Sequence, residues 1–151
     1  MQITAKVDYA LRAAIELAAG SPGPVKGEHI SEAQHIPIKF LENILLELKH
    51  AGLVRSQRGA AGGYWLARPA AEVTLADVIR AVEGPLAAIR GMSPEDVEYT
   101  GTAEPLRVVW IALRAGMRLV LESVTLADML EGRISPEVAR LTQDSEAWIR
   151  R

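Results

Sequence analysis

Between Leu53 and Arg68 the hydrophobic pattern of this chain changes period, and that change narrows the folds open to it. Upstream, three stretches repeat apolar residues every three or four positions, as helices do. Here Leu53-Val54-Arg55-Ser56-Gln57-Arg58 and Tyr64-Trp65-Leu66-Ala67-Arg68 read instead as two short strands around Gly59-Ala60-Ala61-Gly62-Gly63. Three glycines in five residues permit a tight turn and a close approach of backbone to another molecule. Pro69 closes the segment.

The preceding helices have recognisable limits. Ile3, Val7, Ala10, Leu11, Ala14, Ile15 and Ala18 form one face of a helix over 3–19, with Thr4 as its cap, and Gly20-Ser21-Pro22-Gly23-Pro24 ends it. A shorter helix is expected from Lys26 to Gln34. Pro37 then occupies the first turn of a third helix that runs to His50, with Ile38, Leu41, Leu45 and Leu48 as its apolar stripe, stopped by Ala51-Gly52. After the hairpin, Val73-Thr74-Leu75-Ala76-Asp77-Val78-Ile79 starts another helix. The same pattern returns at Val124-Thr125-Leu126-Ala127-Asp128-Met129-Leu130, two uses of one helix start and not a repeat fold, since the surroundings differ. Residues 84–104 are irregular. A long helix follows over 104–123, with Leu106, Val109, Trp110, Leu113, Met117, Val120 and Leu121 as a packing stripe and the expected dimer interface, and a short helix is expected after Gly132. The aromatic fraction is only 5% against 49% hydrophobic residues, which favours aliphatic helix packing over a sheet sandwich.

The expected fold is mainly α with a small β hairpin: a winged helix-turn-helix followed by a long dimerisation helix. We expect a DNA-binding domain over 1–84, an irregular sensor or linker segment over 85–104, and over 105–151 a dimerisation helix with a C-terminal region that packs back on the N-terminal helix. The start of the chain lacks the charge pattern of a signal peptide and no apolar stretch approaches a membrane span, so a cytoplasmic protein is expected.

Three helices and a glycine-tipped hairpin suit a rigid recognition helix in the major groove of DNA. On the third helix, Asn43 can pair with adenine, Glu42 can accept from cytosine, and Lys39 can reach guanine or phosphate. His35 and Pro37 sit at the end that would enter the groove, and Phe40 either touches a thymine methyl or packs within the domain. The hairpin supplies Arg55, Arg58 and Arg68. Arg58, directly before the tip glycines Gly59, Gly62 and Gly63, is the residue best placed for a minor groove, with Gln57 assisting. Thr4 and Lys6 can fix the phosphate backbone. A net charge of −2 argues weakly against a nucleic-acid partner, but the charge is uneven: residues 1–69 carry eight Lys/Arg and six Asp/Glu, whereas 70–151 carry nine and thirteen.

At this point a resemblance becomes specific. Thr4-Ala5-Lys6-Val7-Asp8-Tyr9-Ala10-Leu11, Phe40-Leu41-Glu42-Asn43-Ile44-Leu45, Gly52-Leu53-Val54-Arg55-Ser56, the hairpin Arg58 to Leu66, and Thr74 to Ile79 followed by Val82-Glu83-Gly84 are similar to the Rrf-two family of bacterial transcription regulators. That family includes iron–sulfur cluster, nitric-oxide and cysteine-metabolism repressors. The resemblance extends to about residue 131. It implies a homodimer on an imperfect palindromic operator, with Lys39, Glu42, Asn43 and Arg58 as DNA readers and the long helix crossing its partner's equivalent.

Many members of that family hold an iron–sulfur cluster through three cysteines between the Glu83-Gly84 turn and the long helix. This chain has no cysteine at all, so no such cluster and no other cofactor is expected. Asp8, which matches a ligand position in some relatives, is then a surface or dimer-facing carboxylate. Asp8, Glu95, Asp96, Glu98 and Glu104 have no spacing that specifies a metal, and His29, His35 and His50 have none either. Ile89, Met92, Tyr99 and Trp110 can line a pocket for a small organic effector; the simpler reading places Trp110 in the dimer seam. A protein effector acting through this cluster-free region is a further alternative. No nucleophile–base pattern or phosphate loop supports an enzyme. The remaining alternative is a dimeric adaptor that keeps the fold without selective DNA binding.

Overall fold

The computed structural model describes residues 2–150; Met1 and Arg151, the outer limits of the expected domains, lie outside them. The expected mainly α fold with a small β hairpin is the fold observed. Helices α1 (Ala5–Ala19), α2 (Gly27–Gln34) and α3 (Ile38–His50) precede strands β1 (Val54–Gln57) and β2 (Gly63–Leu66). Then come α4 (Leu75–Glu83), α5 (Leu106–Leu121), α6 (Leu126–Glu131) and α7 (Pro136–Gln143).

The core lies under α1. Its buried face is built largely from alanines (Ala10, Ala13, Ala14, Ala18) with Val7 and Leu17, and small side chains allow α3, α4 and α6 to approach closely. From α3, Leu41, Ile44, Leu45 and Leu48 fill the space on the other side, so the stripe read from the sequence is the buried face, apart from exposed Ile38. Burying a side chain of this size contributes roughly 1.5–3 kcal/mol. Four of them fix the rotation of α3 about its axis and thereby leave Lys39, Glu42 and Asn43 in solvent.

The turn from α2 to α3 is tight. His35 takes a left-handed conformation (φ 53°) as the C-cap of α2. The Ile36 amide donates to the Ser31 carbonyl at 3.0 Å, and Ser31 Oγ donates back to the Ile36 carbonyl at 2.7 Å. Histidine is among the non-glycine residues that tolerate such a conformation best.

The two matching helix starts meet in space. Thr74 and Asp77 form a capping box on α4, and Thr125 and Asp128 form another on α6. The segments before them pair antiparallel: the Leu75 amide donates to the Val124 carbonyl at 3.0 Å, and the Leu126 amide to the Val73 carbonyl at 2.9 Å. Here α6 also packs on α1.

Helix α5 has no fully buried residue. Trp110, Leu113, Met117, Val120 and Leu121 of the anticipated stripe are half-buried, on the side of α5 that meets the Pro94–Asp96 turn, α7 and α4 within the same chain. The opposite side is open: Val108, Val109 and Leu119 are exposed apolar residues, with Ala112, Ala115 and Gly116 between them, and Leu106 is exposed at the start of the helix. Among the described residues no helix is long and apolar enough to cross a membrane.

Candidate nucleic-acid interface

The hairpin pairs Val54 with Leu66, Arg55 with Trp65, Ser56 with Tyr64 and Gln57 with Gly63. A third short segment joins it. Val25, immediately before α2, exchanges two backbone hydrogen bonds with Tyr64, both 2.8 Å. The wing is therefore stitched to the chain that enters the helix-turn-helix. Two glycines make this possible. A Cβ on Gly62 would lie 2.1 Å from the Gln57 carbonyl oxygen, and one on Gly63 (φ +151°) would lie 2.7 Å from the Val25 carbonyl oxygen. Both are buried, so their lack of a side chain serves closure of the wing itself; Gly59 is exposed at its tip.

Between α3 and the wing lies an open cleft of about 480 Å³. Glu42 and Asn43 line it from the helix, and Gln57, Arg58 and Gly63 from the hairpin. Five of the residues singled out in the sequence thus meet at one surface. Asn43, Gln57 and Arg58 are all exposed, and an amide facing a guanidinium across a cleft provides hydrogen-bond donors and an acceptor without a buried charge. Sequence reading missed Lys26, Gly27, Glu28, Leu46, Lys49, Ser56 and Tyr64, which complete the lining. Lys26 Nζ donates to the Gly59 carbonyl at 2.8 Å, and Lys49 Nζ to Ser56 Oγ at 2.8 Å. A lysine that is neither in the recognition-helix motif nor in the hairpin leaves no pattern to find; only the Val25–Tyr64 pairing brings Lys26 to the wing.

Other expected contact residues stand apart from the cleft lining. His35, Pro37, Lys39 and Phe40 are exposed around the start of α3, and the Phe40 ring stands edge-on to Tyr9, centroids 5.6 Å apart. Thr4 accepts from the Val7 amide as the cap of α1, and its hydroxyl donates to Glu83 Oε1 at 2.7 Å. Lys6 pairs with Glu47 at 2.8 Å. Arg55 lies on the far face of the hairpin, in a second hollow with Trp65 and Lys49. Arg68 lies 3.8 Å from Asp77.

In the irregular segment, Ile89 and Met92 exchange backbone hydrogen bonds of 2.9 and 3.0 Å, and the Trp110 indole N–H donates to the Tyr99 hydroxyl at 2.9 Å. Arg114, of which only 13% of the side chain is exposed, pairs with Glu95 at 2.5 Å. The Glu95 carboxyl sits below its ordinary pKa, chiefly because it accepts a hydrogen bond from its own backbone amide, then because of Arg114. Asp8 pairs with Arg12 at 2.7 Å, and Arg12 also stacks 4.8 Å over the Tyr9 ring.

A family model described as Rrf2, Iron-dependent Transcriptional regulator, matches residues 3–132. The chain belongs to the Rrf2 (Rrf-two) family. It is 47% identical over 148 residues to Rv1287 of Mycobacterium tuberculosis (strain ATCC 25618 / H37Rv), by name an HTH-type transcriptional regulator, covering 97% of this chain and 92% of that protein. With the HTH-type transcriptional regulator CymR of Bacillus subtilis (strain 168) it shares 36% over 130 residues, covering 85% of this chain and 89% of CymR. The solved structure of CymR, described as the global cysteine regulator of B. subtilis, superposes with a TM-score of 0.71 at 36% identity, over 85% of this chain and 95% of that one. T. potens IscR superposes with a TM-score of 0.70 at 30% identity, over 100% and 93% respectively. The hairpin is therefore the wing of a winged helix-turn-helix regulator. Members of the family are DNA-binding transcriptional regulators, not enzymes.

The iron named in the family description does not fit the donor set of this Rrf2 protein. It has no thiolate, and among the described residues no three His, Asp or Glu side chains converge. Within 85–104, the Glu95 carboxylate is already held by Arg114.

Proposed function

We propose that this chain is a homodimeric, sequence-specific transcriptional repressor that reads a palindromic operator with α3 and the wing and works without a cysteine-ligated cluster. The observation that carries the reading is the shared cleft: Asn43 on α3 and Arg58 on the wing, distant in sequence, face one solvent-open surface. Asn43 is suited to adenine in the major groove and Arg58 to the adjacent minor groove. Lys39, exposed near the start of α3, supplies a further guanine or phosphate contact.

One wing and one recognition helix offer few phosphate contacts, and two copies on one operator raise the effective concentration of the second half-site. The open face of α5 is the surface we assign to that pairing. Val108, Ala112, Ala115 and Leu119 recur at coiled-coil spacing, and Ala112 and Gly116 allow two backbones to approach. Residues up to 84 then form the DNA-binding unit, 85–104 the connection, and the rest the dimer-forming region. Binding that occludes a promoter represses it.

The test is selection of bound DNA from a random pool, followed by titration of the selected site with the parent protein and R58A at fixed salt. A palindromic consensus and an affinity reduced by about tenfold or more in R58A are expected, the equivalent of roughly 1.4 kcal/mol. Equal affinities reject the wing contact. Dimerisation without any selected sequence rejects the regulator reading in favour of an adaptor.

A further inference from the structure

We propose that Lys26 is a positioning residue for DNA reading: it sets the height of the wing tip above α3. The proposal rests on the cleft being the DNA interface. Lys26 is the N-cap residue of α2 but makes no side-chain cap to that helix. Capping is normally the task of Ser, Thr, Asp or Asn, and a cation at the positive end of a helix dipole is electrostatically unfavourable. Its side chain is used elsewhere. Lys26 Nζ donates to the Gly59 carbonyl at 2.8 Å, 33 residues along the chain.

That carbonyl is the pivot of the wing tip. It also accepts the Gly62 amide at 3.0 Å, which closes the turn. Gly59 has φ +101°, a backbone conformation that L side chains rarely adopt, so the orientation of its carbonyl depends on glycine. The neighbouring residue on one side is Val25, bonded twice to Tyr64 in β2. The hairpin is thus held to the same two-residue segment at two points, by backbone at Tyr64 within the strand and by an ammonium at the Gly59 tip. Arg58 adjoins Gly59, so the tie restrains the residue that would enter the minor groove. Without Lys26 the strand remains paired at Tyr64, while the turn beyond Gly63 loses its tie to α2.

The alternative role, a direct phosphate contact by Lys26, gives a different signature. The experiment uses the full-length protein with K26M, K26R, R58A and the double variant K26M/R58A. In the absence of DNA, hydrogen exchange at the Gly62 amide is expected to quicken by about threefold or more in K26M and to return towards the parent rate in K26R, with the thermal midpoint unchanged. On the selected operator, K26M is expected to bind about five- to tenfold more weakly, yet to lose under about twofold when introduced into R58A, because two residues acting through one contact are not additive. Unchanged Gly62 exchange in K26M overturns the proposal. So does an equal loss in both backgrounds accompanied by a salt slope reduced by about 0.9, the mark of one lost phosphate contact. If the parent itself selects no DNA, the regulator reading falls, and the exchange measurement still decides whether the tie exists.

Discussion

Replacing Gly63 by alanine tests how the wing is attached. The new Cβ would stand 2.7 Å from the Val25 carbonyl oxygen, 2.9 Å from its carbon and 3.2 Å from its nitrogen. These are backbone atoms, and they can retreat only if the two 2.8 Å hydrogen bonds between Val25 and Tyr64 are broken or stretched. At roughly 0.5–1.5 kcal/mol net for each bond, that loss amounts to about 1–3 kcal/mol. A positive φ with a side chain attached adds about 1–3 kcal/mol. Gly59→Ala provides the control. Its φ is +101°, but its Cβ would meet nothing within 4 Å, so it carries the conformational cost and any loss at its own carbonyl without a clash against Val25.

Urea unfolding at one fixed protein concentration, which keeps any contribution from association the same for both variants, should therefore place G63A below G59A by about 1–3 kcal/mol. Amide exchange at Tyr64 should rise in G63A and stay near the parent value in G59A. If the two variants match within about 0.5 kcal/mol and Tyr64 keeps its protection, the wing is not held by the Val25 pairing, and the close approach at Gly63 has no energetic weight.

Asn43→Ala is expected to blur discrimination at one operator position by roughly 1–3 kcal/mol in competition binding, and unchanged relative affinities would reject direct readout there. Leu119→Asp, on the open side of α5, should raise the monomer fraction in sedimentation equilibrium while the helical signal persists; Leu113→Asp, half-buried against its own chain, should instead lower the unfolding midpoint. An L119D protein that associates like the parent removes that face from the interface. The Asp128 carboxyl lies below its ordinary pKa mainly because the Thr125 hydroxyl donates to it, and next because of the Thr125 amide. Its folded value being the lower one, the stabilisation is complete above the unfolded value near 3.8 and disappears as pH falls through the folded value. Thermal midpoints below about pH 4 should therefore drop less in D128N than in the parent, and parallel curves would discount the capping box as an acid-sensitive contact.

The first 84 residues were legible because each helix there has its own punctuation. Thr4 and Thr74 cap, Pro37 starts, Gly52 stops, and the period changes at the hairpin. Apolar spacing also predicted which side of α3 is buried, since a stripe from Leu41 to Leu48 has only one core to face. The cleft was half legible: Glu42, Asn43, Gln57 and Arg58 follow from helix and hairpin, but Lys26 and Tyr64 arrive through a backbone pairing that has no local signal. On α5 the periodicity identified an apolar helix without separating its two sides. Apolar residues occur on both, and sequence spacing alone does not tell a surface covered by the same chain from one left open. The doubled Val-Thr-Leu-Ala-Asp pattern was visible, yet its consequence was not. Each helix start leaves an amide free just after the cap (Leu75, Leu126) and a carbonyl free just before it (Val73, Val124), and two such starts side by side satisfy one another.

That pairing bears on how the segment over 85–104 is held without thiolate ligands. Its entrance is fixed where Glu83 receives the Thr4 hydroxyl, and α4 and the end of α5 are joined by an ion pair between Arg80 and Glu122. Exposed pairs of this kind contribute about 0–1 kcal/mol each and would not order twenty residues. The weight falls on burial: Leu86, Pro94 and Val97 are buried, and Arg114 holds Glu95 with little of its own side chain left in water. The Tyr99–Trp110 hydrogen bond supplies a polar stop at the other end. Apolar anchors therefore hold this segment, with Arg114 and Trp110 adding the polar ties. Contacts also tie the segment to α5 through Arg114 and Trp110 on one side and, at its entrance, Glu83 to Thr4 at the start of α1 on the other.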